Sequence, residues 1–105
     1  MTQFKHISIA DAAAHLAADS ATICDIRDEA AFKQGHMPGA FHLTNQSMGA
    51  LLNRIELDRP VIVVCYHGHS SMGAAQYLVG QGFEDVYSMD GGFTEWAKSQ
   101  PVEQG

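Results

Sequence analysis

The segment Cys65-Tyr66-His67-Gly68-His69-Ser70-Ser71 puts a thiol, two imidazoles, a glycine and two hydroxyls side by side. A thiol attacks as its thiolate. At the N-terminal end of a helix, where the first backbone N–H groups lack partners, thiol pKa values fall to roughly 3.5–7.5. The same N–H groups bind anions and stabilise negative charge that develops during a transfer. Gly68 allows a tight backbone turn, and Ser70 or Ser71 is expected to cap the following helix and donate a hydroxyl. The pattern points to Cys65 as a nucleophile facing a small anion. Tyr66, His67, Gly68, His69, Ser70 and Ser71 are the candidate substrate-binding residues.

Three other readings compete. A buried strand-end cysteine can be inert packing. A cysteine phosphatase needs an arginine six residues after the cysteine to grip phosphate bidentately. Here that residue is Ser71, and the loop contains no arginine. A metal site could use Cys65, His67 and His69, but no fourth ligand with matching spacing stands out.

The elements that must position the loop follow from periodicity. Val61-Ile-Val-Val-Cys65 is β-branched, apolar and preceded by Pro60, as a central parallel strand requires. Further strands are expected at Phe4–Ile7, Ala21–Ile26, Ala40–Leu43 and Asp85–Ser88. Helices are expected at Ser8–Ala18, with Ser8 as N-cap, and at 29–34, 47–55, 70–80 and 93–99. Gly35 with Pro38, and Gly82, punctuate them. Alternating strands and helices predict an α/β fold: a mostly parallel five-stranded sheet flanked by helices. In such sheets, ligands bind beyond the carboxyl ends of the strands, where Cys65 stands.

The 105 residues fit one domain, 1–105, with Pro101–Gly105 as a loose tail. No apolar run approaches the length of a membrane span, and the N-terminus lacks a secretory signature, so a cytoplasmic location is expected. The net charge is −6, from 12 acidic and 6 basic residues, with the bases scattered singly. That argues against nucleic acid or an anionic membrane as partner. An acidic chain must attract an anion locally. A cradle of N–H groups does so within a few ångströms, where the diffuse net charge is largely screened.

The wider sequence resembles the rhodanese family. Phe32-Lys-Gln-Gly-His36-Met-Pro38-Gly39-Ala40-Phe-His-Leu43 looks like the family's first signature, and Val86-Tyr-Ser-Met-Asp90-Gly91-Gly92-Phe93-Thr-Glu95-Trp96 like its C-terminal one. Between them lies a strand-end cysteine with a six-residue loop. Cys24-Asp25-Ile26-Arg27-Asp28 resembles the family's Asp-x-Arg. The likeness is strongest to small single-domain thiosulfate sulfurtransferases of the GlpE type. It implies a rhodanese-like fold and a thiosulfate:cyanide sulfurtransferase activity through a Cys65 persulfide, with sulfite released and no metal or organic cofactor. The acceptor would be cyanide in assay, or a thiol or dithiol, including a redox protein. Met37 and Met89 depart from the family pattern as packing substitutions, and His67 and His69 stand where Arg or Lys is usual. The alternative is a sulfur-carrier or interaction module of the same fold.

Other residues read as structural. Cys24, Phe93 and Trp96 are expected in the core. Asp25 and Arg27 are expected to form an ion pair, and His36 a turn-fixing hydrogen bond. Gly91 and Gly92 are expected to supply glycine-only conformations near the loop. His6, His15 and His42 have no constellation around them. The acidic surface suggests a monomer.

Overall fold

The computed structural model describes residues 3–105. Strands β1 (Lys5–Ile7), β2 (Thr22–Asp25), β3 (Phe41–His42), β4 (Val61–Val64) and β5 (Val86–Met89) alternate with helices α1 (Ile9–Ala18), α2 (Glu29–Gln34), α3 (Met48–Arg54), α4 (Ser70–Gly80) and α5 (Gly92–Ser99). The sheet order is β1-β5-β4-β2-β3. Every pair in it is parallel, so the expected mostly parallel sheet is wholly parallel among the described residues.

The alternation of side chains along β4 explains how both faces are buried. Ile62 and Val64 enter a core with Ala12 of α1 and Trp96 of α5. Val61 and Val63 enter a second core with Leu51 of α3, and Ala75 and Leu78 of α4. A strand buried on both faces must be apolar throughout, and Val-Ile-Val-Val is. Burial of these four side chains stabilises the fold by about 1.5–3 kcal/mol each.

Ser8 caps α1 as the sequence suggests, and Asp28 caps α2, which the sequence reading does not single out. Ser8 Oγ accepts the Asp11 N–H at 3.1 Å, and Asp28 Oδ1 accepts the Ala31 N–H at 2.8 Å. Each satisfies a first-turn donor. β5 runs one residue later than expected and α5 begins at Gly92. Residues 101–105, read as a loose tail, carry specific bonds. Glu103 forms an antiparallel bridge with His36, with N–H to O distances of 2.8 Å in both directions. Trp96 Nε1 donates to Pro101 O at 2.7 Å, and the Gly105 N–H to Lys33 O at 3.0 Å. Backbone hydrogen bonding, which composition does not reveal, holds this segment against α2 and α5.

Candidate active site

Cys65 follows the last residue of β4 and is only 4% exposed. The chain then turns through Tyr66–His69 into α4. Gly68 turns it at φ +92°, and a Cβ there would sit 3.0 Å from Gly91 N and 3.1 Å from Met89 O. A side chain would be both strained and crowded, which is why the turn needs glycine. The turn aims donors at the sulfur. Cys65 Sγ accepts the Gly68 N–H at 3.1 Å and the Ser71 N–H at 3.2 Å, and lies 3.3 Å from Ser71 Oγ.

Here the structure corrects the expected capping. Ser70 and Ser71 lie inside the first turn of α4, not before it. His69 is the N-cap residue, and its side chain makes no cap hydrogen bond. Cys65 Sγ takes the cap's place by accepting the Ser71 N–H. Ser70 is exposed, while Ser71 is buried with its hydroxyl turned inward.

Burial is the largest influence on the Cys65 pKa and pushes it up. The Ser71 hydroxyl and the N–H groups of Ser71, Gly68 and His67 push it down, and together they prevail. The thiol is acidified by hydrogen bonds rather than by a neighbouring charge.

The base of α5 fixes the loop from behind. The Phe93 N–H donates to Cys65 O at 2.8 Å and the Thr94 N–H to Tyr66 O at 3.0 Å. This contact needs Gly92, at φ +63°, because a Cβ there would collide with the carbonyls of Tyr66 and Cys65. The Gly91-Gly92 pair is thus the seat of the loop.

Asp25 and Arg27 form the expected ion pair at the end of β2, both buried. Arg27 Nη2 lies 2.7 Å from Asp25 Oδ2 and donates to Gly35 O at 2.6 Å. The guanidinium also lies over the ring of Phe93 at 4.0 Å and near that of Tyr66 at 5.6 Å. Phe93, expected in the core, is therefore half-buried beneath this cation. Cys24 is fully buried, and burial pushes its pKa up to about 12. His36 Nδ1 bonds Phe32 O at 2.8 Å, fixing the turn. His42 Nε2 bonds Arg27 O at 2.6 Å, His6 Nδ1 bonds Asp90 Oδ1 at 2.7 Å, and His15 Nδ1 bonds Ser20 Oγ at 2.7 Å.

Tyr66, His67, His69 and Ser70 are exposed residues of the loop. Among the described residues, neither the His67 nor the His69 ring makes a hydrogen bond, and no three His, Cys, Asp or Glu side chains group as metal ligands. The N–H groups of His69 and Ser70 have no acceptor among the described residues. These two donors are available to an anion. A cleft of about 550 Å³ lies along α4, lined by Ile26, Leu43, Thr44, Met48 and Tyr77 among others. It includes no residue of the Cys65–Ser71 loop. One residue escapes the sequence reading: Ser88, fully buried in β5, whose Oγ lies 2.7 Å from Ser71 Oγ. Its only sequence signal is a small polar residue in the strand Val86-Tyr-Ser-Met89.

The Rhodanese-like domain family matches residues 8–99. The chain belongs to the rhodanese family. Its fold is similar to a rhodanese-related protein of Thermoplasma volcanium, at 22% identity over 97% of this chain and 100% of that one, with a TM-score of 0.80. A rhodanese-like domain protein of Staphylococcus aureus matches at 22% identity, over 97% and 99% of the two chains, with a TM-score of 0.80. Reduced CoADR-RHD of Bacillus anthracis matches at 20% identity and a TM-score of 0.75, over 90% of this chain and 16% of that one.

Proposed function

We propose, from membership of that family, that this protein is a thiosulfate sulfurtransferase working through a Cys65 persulfide. The observation that carries the reading is the setting of Cys65 Sγ: it accepts the Gly68 N–H and the Ser71 N–H, with Ser71 Oγ 3.3 Å away. These hydrogen bonds lower the thiol pKa and favour the thiolate, the nucleophilic form. Cys65 S⁻ attacks the outer sulfur of thiosulfate. The S–S bond of thiosulfate breaks, and sulfite leaves with the electron pair. Cys65 then carries a persulfide anion. A thiophile attacks the terminal sulfur, takes it, and returns Cys65 to thiolate. Cyanide leaves as thiocyanate by this step, and a thiol or dithiol, small or on a redox protein, leaves as its persulfide. The cycle is two-step covalent catalysis and predicts ping-pong kinetics. No metal or organic cofactor enters it.

The donor's anionic end is assigned to loop N–H groups, including those of His69 and Ser70, with His67 and His69 contributing positive charge below neutral pH. We extend the proposal to a cytoplasmic monomer that engages neither nucleic acid nor membrane. Among the described residues no helix is long and apolar enough to cross a membrane.

A second reading, a persulfide carrier charged by a partner protein, is favoured by one observation. The cation beside the loop, Arg27, is already committed to Asp25 and Gly35 O. Purified protein mixed with thiosulfate and cyanide separates the two. The enzyme forms thiocyanate, and Cys65→Ser falls to background. Wild type indistinguishable from Cys65→Ser would leave only the carrier.

A further inference from the structure

Ser88 stands in β5 in register with Val63 of β4, on the face against which α4 packs. It is fully buried, and among the described residues its hydroxyl has one hydrogen-bond partner, Ser71 Oγ at 2.7 Å. Ser71 Oγ in turn has two neighbours, Ser88 Oγ and Cys65 Sγ. Each hydroxyl has one proton to donate. If Ser71 donated to Ser88, the Ser88 proton would be buried with nothing to receive it, and if the Cys65 thiol donated to Ser71, one of the two hydroxyl protons would be left unpaired, a costly arrangement in either case. If Ser88 donates to Ser71, the Ser71 proton goes to the sulfur and both protons are paired.

We propose that Ser88 is a positioning residue: as the closed end of a two-hydroxyl chain, it occupies the acceptor side of Ser71 and holds the Ser71 proton on Cys65 sulfur. The donation from Ser88 polarises the Ser71 O–H and strengthens its bond to a negative sulfur. The effect serves both halves of the proposed cycle. In the first it stabilises the attacking thiolate. In the second it stabilises Cys65 as the thiolate leaving group when an acceptor removes the outer sulfur. No proton moves along the chain; on ionisation the thiol proton goes to solvent.

The inference rests on Cys65 being the sulfur-carrying nucleophile, but it is read without sulfur transfer. Charged and titratable neighbours lie on every side of the loop: His67 and His69 on the loop itself, the Asp25–Arg27 pair at the end of β2, Asp90 with His6 across β5 and β1, and Glu95 on α5. α4 has no acidic residue in its first turn. A substitution at Ser88 changes none of these charges, so a shifted thiol titration reports the hydroxyl chain.

The experiment is the rate of iodoacetamide alkylation of Cys65 against pH, followed on its peptide. Ser88→Ala is expected to move the midpoint upward and slow alkylation at neutral pH by about two- to five-fold. Ser88→Thr, which keeps the hydroxyl, is expected to restore the wild-type midpoint. In a Ser71→Ala background, Ser88→Ala is expected to add nothing, because Ser88 acts through Ser71. An unchanged midpoint in Ser88→Ala, or an equal shift with and without Ser71, overturns the inference. If Ser88→Ala does not fold, Ser88→Cys, with its weaker donor, must show the upward shift, and a wild-type midpoint there overturns it equally. A protein that shows the Ser88 shift but forms no thiocyanate would refute the proposed enzyme and leave the positioning role standing.

Discussion

Cys24 stands on β2 and Cys65 just past the end of the adjacent parallel strand β4. Cys24 pairs in register with Val63, and Cys65 lies two residues beyond Val63. Both are nearly inaccessible, at 0% and 4% exposure. Burial alone therefore does not separate them. Cys24 lies inside β2, where the neighbouring N–H groups belong to the ladder and the sulfur is packed in the apolar core. Its thiol is pushed up to about 12, and the residue is inert at neutral pH. Cys65 lies one step past the end of β4, where the chain has left the ladder and its N–H groups are free to turn onto the sulfur. Its thiol is lowered in spite of burial. One step along the chain separates a thiol raised by burial from one lowered by hydrogen bonds.

The largest expected effect on this contrast is in reactivity. Iodoacetamide at neutral pH is expected to label Cys65 in the folded protein at least about a hundredfold faster than Cys24, because the rate follows the thiolate fraction. Comparable labelling of the two sites in the folded state would break the contrast.

Substituting Gly92 should make Cys65 resemble Cys24. Its left-handed backbone and the carbonyls of Cys65 and Tyr66 beside it leave no room for a Cβ. Gly92→Ala is expected to lower stability by about 2–4 kcal/mol, from backbone strain and the forced retreat of the loop. It should also slow Cys65 alkylation as the donors move off the sulfur. A denaturation midpoint equal to wild type would mean that α5 does not seat the loop.

A smaller effect sharpens the other half. The folded state keeps the Cys24 proton up to about pH 12, whereas the unfolded chain releases it near the ordinary thiol value of about 9. Stability from this group is therefore full below pH 9 and is lost as pH rises toward 12. Cys65 has the opposite sign, since its lowered pKa stabilises the fold above the unfolded value and loses that contribution as pH falls through the folded one. Denaturation midpoints between pH 8 and 11 should therefore fall less steeply in Cys24→Ala than in wild type. Identical slopes would show that Cys24 is not protonated by burial.

The chemistry of these two residues was unequally legible. The apolar run Val61–Val64 announces a central strand, and its end announces where Cys65 must stand. Cys24 between Ile23 and Ile26 reads as core for the same reason. The family signatures mark the Gly91-Gly92 seat, though not which carbonyls it abuts. Capping was misread because Ser70 and Ser71 are both good caps by type, and only the geometry shows the sulfur taking that role. Ser88 was invisible because a lone serine in a strand can face either way, and its register against Val63 settles which. The bonds of Glu103 to His36 join residues far apart in sequence, so local composition at the tail held no sign of them. The Asp25–Arg27 pair was expected, but its stacking on Phe93 depends on the approach of α5 and not on spacing.

In the proposed cycle Cys65 alone carries the sulfur. Its most direct test is peptide-resolved mass spectrometry after incubation with thiosulfate and removal of excess donor, without any reducing agent. One added sulfur atom is expected on the peptide containing Cys65, none on the peptide containing Cys24, and loss of the added sulfur when cyanide is supplied. Sulfur on the Cys24 peptide, or an unmodified Cys65 in protein that forms thiocyanate, would contradict it.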